Sequence, residues 1–568
     1  MAVIWTLAGA ATFVKILFMP AYRSTDFEVH RNWLAITHSL PLRQWYVDET
    51  SQWTLDYPPL FAWFEYILSL FAVNFDPKML EVSNLNYASE GTVLFQRLSV
   101  IMTDFVYYYA VKEFQTINIL SKHSPREKDR FSTTIQSIFL IFNIGLFIVD
   151  HIHFQYNGIL FGIMLLSLIR ILQGKTLEGA FWFAFLLNMK HIFMYIAPAY
   201  FIYLLRTFCF QADKPISLTR FSFFNFACLG AVVSGVFVFS FGPFIYFGQF
   251  IQVMSRLFPF KRGLLHAYWA PNFWALYSGL DKVLTIFGLK LGILNAGKVQ
   301  SGSMTSGLVQ EYNHTTLPSI PPGFSLLLVV FGMMPALLNL WNQRTVVSFL
   351  RTVILCGLTS YLFGWHVHEK AILMAIIPMA LLVLNSKADA RIYLILSTAG
   401  FYSLFPLLFT PMENLLKVLL LIQSCIFSFL SLGNIFSSMK RDGHSNQNNT
   451  EIFKLPYLPL LNLSESIYIW GFIPLGLFNS LGFWLWNIGE RYPFLPLMLT
   501  SVYCSLGIIY SWLEFYRLAL TDGDTQLYKF IQQFSEHSLS ALGNRYKYFQ
   551  HDGAESRQNK FNKNKRKH

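Results

Sequence analysis

The sequence is poor in charge: only 13% of its 568 residues are Asp, Glu, Lys or Arg, about half the share in a soluble protein. Cysteine is scarce too. Cys209, Cys228, Cys356, Cys425 and Cys504 all fall in or beside apolar runs, with no CxxC spacing, which argues against a disulfide framework or a thiolate metal site. Acids are the scarcer charge, 31 against 43 bases. In a chain this apolar the resulting +12 is an orientation signal carried by loops, so no nucleic-acid partner follows from it. A soluble enzyme, a disordered chain and a nucleic-acid binder are all excluded.

What is abundant is apolar and aromatic. Hydrophobic residues make up 54%, with 57 Phe, 28 Tyr and 14 Trp, in many runs approaching bilayer-spanning length. This predicts an all-α polytopic membrane protein. Runs near 1–19, 96–114, 132–149, 157–173, 177–190, 192–206 and 222–241 form one series. Runs near 323–341, 352–366, 371–386, 392–409, 415–433, 467–486 and 495–513 form a second, giving about 14 spans, some short enough to need shielding or local thinning. Met1–Met19 contains Lys15 and lacks a basic leader and a small-residue cleavage pattern, so it reads as a retained span.

Lys and Arg in alternate loops, such as Lys122 to Arg130, Arg206 to Arg220 and Lys387 to Arg391, predict those loops and both termini to be cytoplasmic. The opposite face then receives two long segments, 20–95 and 242–322, and short loops at 150–157, 366–370, 410–414 and 487–494. The expected organisation is a transmembrane module over 1–241, a long outer loop over 242–322, a second module over 323–515 and a basic tail over 516–568. Leu60–Phe75 must then lie at the interface as an amphipathic helix, with Leu60, Phe64, Ile67 and Phe71 on one face. Segment 271–290, with Asp281, Lys282 and Lys290, must also not cross. Of three N-x-S/T sequons, at Asn313, Asn448 and Asn462, only Asn313 falls on the translocated side.

Four polar clusters sit on the outer face. The first is Ser24-Thr25-Asp26-Phe27-Glu28-Val29-His30-Arg31, where a carboxylate at a helix end beside the bilayer can deprotonate a hydroxyl while the membrane holds a lipid-linked co-substrate; a solvated face with acids pairing Arg23 or Arg31 is the plainer reading. The second, Asp150-His151-Ile152-His153-Phe154-Gln155-Tyr156-Asn157, suits either a metal or a hydrogen-bonding shell for sugar. The third has Arg256, Lys261 and Arg262 around Leu257-Phe258-Pro259-Phe260, a place to grip a lipid phosphate or ordinary anionic lipid. The fourth is Trp365-His366-Val367-His368-Glu369-Lys370 at a span end, where ionisable residues usually face a cavity. Its spacing is not the HExxH of zinc proteases.

These clusters, with Trp53-Thr54-Leu55-Asp56-Tyr57-Pro58-Pro59, Arg256-Leu257-Phe258-Pro259 and Val367-His368-Glu369-Lys370, resemble the dolichyl-phosphate-glucose-dependent glucosyltransferases of Asn-linked glycan assembly. The resemblance runs from near the N-terminus to beyond residue 385 and implies the GT-C fold, residence in the endoplasmic reticulum membrane and lumenal chemistry. Within the family, Trp53-Thr54-Leu55-Asp56, Gly364-Trp365-His366 and His266-Ala267-Tyr268-Trp269 look like the branch that adds the second glucose, in α-1,3 linkage, to a monoglucosylated lipid-linked oligosaccharide. It also implies dolichyl phosphate β-glucose as donor, no nucleotide sugar, and Asp26 as the catalytic base of an inverting displacement; no cofactor is expected, and no metal, for want of a third spaced ligand beside His151 and His153.

The phosphate is expected to meet Arg256, Arg262, His368 and Lys370. Glu28, Asp56, Asp150, His153, Gln155 and Glu369 are expected to form the shell around sugar and loop. The alternatives are the sister enzyme adding the first glucose, a transporter, disfavoured by the unlike halves, and a non-catalytic assembly subunit. The terminal Lys565-Arg566-Lys567-His568 resembles a dibasic retrieval signal, with a generic basic tail as the alternative.

Overall fold

The computed structural model describes residues 2–117, 126–210, 220–258, 263–266, 268–294, 314–441, 455–482 and 492–521. Lys261, Arg262, Asn313, Asn448 and the basic tail lie outside them. The chain divides into units 1–515 and 516–568. Among the described residues the secondary structure is helical, with two isolated bridges, Phe210 with Phe221 and Leu265 with Val367.

Among the described residues eight helices are long and apolar enough to cross a membrane, and Val3–Leu17, Pro59–Ala72 and Asn157–Leu172 are shorter apolar helices. The run 96–114 falls in Glu90–Thr103 and Phe105–Phe114, which meet at Asp104, itself helical in backbone and turned inward to the buried Lys15 ammonium at 2.6 Å and to His151 at 2.8 Å.

Burial sorts the helices by role. The apolar windows of Val346–Phe363 and Lys387–Leu407 are 78% and 89% buried, so both helices occupy the interior, where Arg351 of one pairs with Asp389 of the other at 3.0 Å. Phe223–Tyr246, Pro322–Gln343 and Pro411–Ser437 turn most of their apolar surface outward, at 22%, 28% and 28%. Phe223, Phe224, Phe239, Phe331 and Met412 are exposed on them, an apolar periphery that a bilayer covers. This is a helical, polytopic membrane protein.

The segment 20–95 packs as a small domain on the end of the bundle. Helix Asp26–Ser39 lies against Pro59–Ala72, and Leu34, Ala72, Met79, Leu80 and Phe95 form its apolar centre. Arg31, fully buried, binds Glu28 through two 2.8 Å contacts and the Met79 carbonyl at 2.8 Å. The plainer pairing expected for this cluster thus holds for Glu28, which serves the loop fold. Helix Pro59–Ala72 presents Ile67, Leu70 and Phe71 outward. Its Glu65 does not face water as an amphipathic reading expects: it is buried on His30 at 2.7 Å. Segment 271–290 forms helix Phe273–Lys290, which is not among the eight. Its Asp281 accepts backbone N–H groups of Thr315, Thr316 and Leu317, closing the outer loop onto the helix.

Candidate active site

The outer segments converge on one cavity of about 1980 Å³. That is more than the roughly 300–1,000 Å³ of a pocket for one small ligand, so it has room for two substrates. Its wall takes residues from 22–30, 52–57, 153–161, 190–195, 257–269, 365–374 and 402–418, so chain segments expected on one face of the membrane share a single chamber.

Asp26 opens helix Asp26–Ser39 at this wall, and three side chains meet its Oδ2. Gln155 Nε2 donates at 2.6 Å, Lys370 Nζ at 2.9 Å, and His153 Nε2 lies at 3.2 Å. Local structure explains the convergence. The segment Phe147–Ile152 is π-helical, and Phe154 then takes a φ of 88°, a left-handed conformation uncommon for a bulky residue. His153 and Gln155 on either side of that turn reach the same carboxylate oxygen. Phe154 itself is fully buried against Phe27, with ring centroids 5.1 Å apart.

The N-terminal side is fixed by Arg97. Its guanidinium donates to the carbonyls of His151 and Tyr22, both at 2.8 Å, and to Ile152 at 3.1 Å, while Ser24 N–H bonds the His153 carbonyl at 2.9 Å. The exit of the first helix and the 150–157 loop are therefore one rigid piece. Burial works against a charged Asp26, but the Lys370 ammonium and then His153 outweigh it and hold the carboxyl well below its ordinary range. On Lys370 the attraction of Asp26, then Glu369, likewise overcomes burial and raises the ammonium's pKa.

The remaining expected residues divide. His368, Glu369 and Asp56 line the cavity. Asp150 is buried and binds Asn157 Nδ2 at 2.8 Å and the backbone N–H of Gly158, so it shapes the loop. His151 faces Asp104 and His153 faces Asp26, and the metal reading of that pair fails because the rings serve different carboxylates. Arg256 donates to Glu49 at 2.7 Å and to the Tyr46 carbonyl at 3.1 Å, and it is not a cavity-wall residue. Lys190 is a cavity cation that the sequence reading missed. It donates to Asn157 Oδ1 at 3.1 Å and lies over the Tyr57 ring, and burial, aided by Lys370, pushes its pKa down to about 8. The only sequence signal was a lone Lys between two apolar runs.

Three relatives match over nearly their whole length, each bearing the name dolichyl pyrophosphate Glc1Man9GlcNAc2 alpha-1,3-glucosyltransferase. The Bos taurus protein is 51% identical over 522 residues, 91% of this chain and 95% of the relative. The Mus musculus protein is 50% identical over 521 residues, with the same shares. The Arabidopsis thaliana protein is 43% identical over 520 residues, 91% of this chain and 98% of the relative. Residues 11–515 match the ALG6, ALG8 glycosyltransferase family. With a match of that extent around a membrane-face chamber built on Asp26, the chain belongs to the ALG6, ALG8 glycosyltransferase family and is a glucosyltransferase.

Proposed function

We propose that this protein transfers glucose from dolichyl phosphate β-glucose to a lipid-linked oligosaccharide already carrying one glucose, forming an α-1,3 linkage on the lumenal side of the endoplasmic reticulum membrane. The observation that carries the chemistry is Asp26, held by Gln155, His153 and Lys370 at the wall of a chamber large enough for both substrates. The relatives named for a Glc1Man9GlcNAc2 substrate support the second-glucose step.

A β-linked donor and an α-linked product require one inversion. The acceptor hydroxyl oxygen attacks the anomeric carbon opposite the phosphate, its proton passes to Asp26, and the C–O bond electrons leave on dolichyl phosphate. No covalent intermediate is needed, and the leaving group requires only that its growing negative charge be met. Lys370 and Lys190, both on the chamber wall, meet it, with His368 beside them. Lys370 has two anionic partners in turn. As it pairs with a donor phosphate its hold on Asp26 loosens, and the carboxylate regains the basicity that the ion pair suppresses. Arg256 acts at one remove, tying helix Phe250–Leu257 to the first outer segment through Glu49.

Purified protein supplied with dolichyl phosphate β-glucose and defined acceptors tests this reading. Transfer to the monoglucosylated acceptor, with little to the unglucosylated one, is expected. The reverse preference moves the enzyme to the first-glucose step, and failure with both discards the donor assignment.

A further inference from the structure

Three histidines from two distant stretches of chain meet on the chamber wall beside Lys370. His266 follows helix Phe250–Leu257, while His366 and His368 belong to the turn after Val346–Phe363. One ring nitrogen of each lies within 4.8 Å of the other two. The stretches are held in register by the bridge between Leu265 and Val367 and by the His366 N–H donating to the Leu264 carbonyl at 3.1 Å.

Neighbouring groups orient these rings as metal ligands are usually oriented. His366 Nδ1 is 2.8 Å from the Gly263 carbonyl. A carbonyl only accepts, so Nδ1 carries the proton and Nε2 the lone pair. His266 Nδ1 faces Glu369 Oε2 at 3.3 Å. The Glu369 side chain is 1% exposed, and a buried carboxylate needs positive charge close by, which the Lys370 ammonium supplies. Imidazoles backed by a carbonyl and by a carboxylate are the usual outer support of metal-bound histidine. The backbone is strained on both sides of the cluster, with φ of 52° at His366 and 43° at Trp269, conformations that persist only where the surroundings enforce them.

We infer that His266, His366 and His368 bind one divalent transition-metal ion, zinc by ligand type, with Glu369 backing His266. Imidazole suits zinc, and three histidines with a fourth position left to an oxygen ligand is a familiar set. Closing the three nitrogens to zinc distances of about 2.0–2.1 Å requires the His266 and His368 rings, whose centroids are 3.8 Å apart at 35°, to swing away from each other. The ion fastens the stretch after Phe250–Leu257 to the turn that carries Lys370, and so sets where the cationic partner of Asp26 stands. This departs from the expectation of no metal: the third ligand lies far upstream of the other two, and no local spacing announces it. The site stands on ring geometry and holds whichever glucose the enzyme transfers.

The test uses full-length protein with a histidine-free affinity tag, reconstituted in lipid discs and dialysed against metal-free buffer. About one zinc per chain is expected by elemental mass spectrometry, and cobalt loading should give the visible absorption of a low-coordinate site. Both should be lost in His366→Ala and in a His266→Gln, His366→Ala double variant, and kept in His38→Gln. Because those variants can fail for want of folding, chelator-treated wild-type protein is also titrated with zinc, and its melting temperature should rise and saturate at one equivalent. Chelated wild-type protein that takes up no zinc at micromolar concentration overturns the inference, as does undiminished zinc in the double variant. Either outcome returns the three rings to direct contact with substrate.

Discussion

In the proposed reaction Asp26 is two things at once, a strong base for a sugar hydroxyl and the anionic half of a 2.9 Å ion pair with Lys370. Asp26→Asn keeps shape and hydrogen-bonding reach but cannot accept the proton, and turnover should fall by about 100-fold or more; wild-type turnover in that variant removes the assignment. Lys370→Met deletes the largest charge holding the carboxyl low. The Asp26 pKa then rises, so the acid limb of kcat/KM, set by protonation of the base, should move to higher pH. A limb that stays in place separates Lys370 from the base. Lys190, with its pKa near 8, loses its charge as pH rises through that value. Donor kcat/KM should therefore decline above about pH 8, and Lys190→Arg should extend the plateau, since guanidinium stays protonated. Asp26, His153, Gln155 and Lys370 were legible in the sequence because short polar clusters at the ends of apolar runs are costly without a purpose. Lys190 and Arg97 were not, since each is a single cation in apolar surroundings whose partners are distant backbone or amide groups. Arg256 was overvalued for a related reason: its basic, apolar neighbourhood suited a phosphate, whereas its partner Glu49 lies 207 positions away.

At the scale of elements, hydropathy located the spans well where a run was uniformly apolar, as in Phe223–Tyr246 and Pro322–Gln343. It gave no hint of the tertiary pairing inside a run, as at Asp104, whose partners Lys15 and His151 come from other helices. The side on which Glu65 points was likewise invisible, because its mate His30 belongs to a different helix. Helix Phe273–Lys290 carries a testable joint. Asp281→Ala removes the acceptor for the part-buried N–H groups of Thr315, Thr316 and Leu317, and a net hydrogen bond is worth about 0.5–1.5 kcal/mol. A lower thermal midpoint in lipid discs is expected, and an unchanged one means that water replaces the carboxylate.

For the molecule as a whole, the sharing of one chamber by segments 22–30, 153–161 and 365–374 fits both long outer segments on one side of the membrane. On the proposed topology, alternate positive loops put both termini on the cytoplasmic side. Reporter tags at the two ends should both read cytoplasmic, and a glycosidase-sensitive shift through Asn313 should place the second long segment in the lumen. A lumenal C-terminus breaks the even span count. Sequence pattern carried this level furthest, since membrane class and loop grouping depend on composition summed over many residues, whereas packing depends on single side-chain partners.

The ion pair between Asp26 and Lys370 joins positions 344 residues apart, and this has a consequence in time. A ribosome adds about 5–20 residues per second, so on the order of half a minute passes between the synthesis of the carboxylate and that of the ammonium that will hold it. Throughout that interval the nascent chain has its base but lacks the turn that completes the chamber. If the proposed roles of Asp26 and Lys370 hold, any product ending before Lys370 is expected to be inert however well its first half folds, and transfer begins only as the second half of the bundle arrives to meet the first.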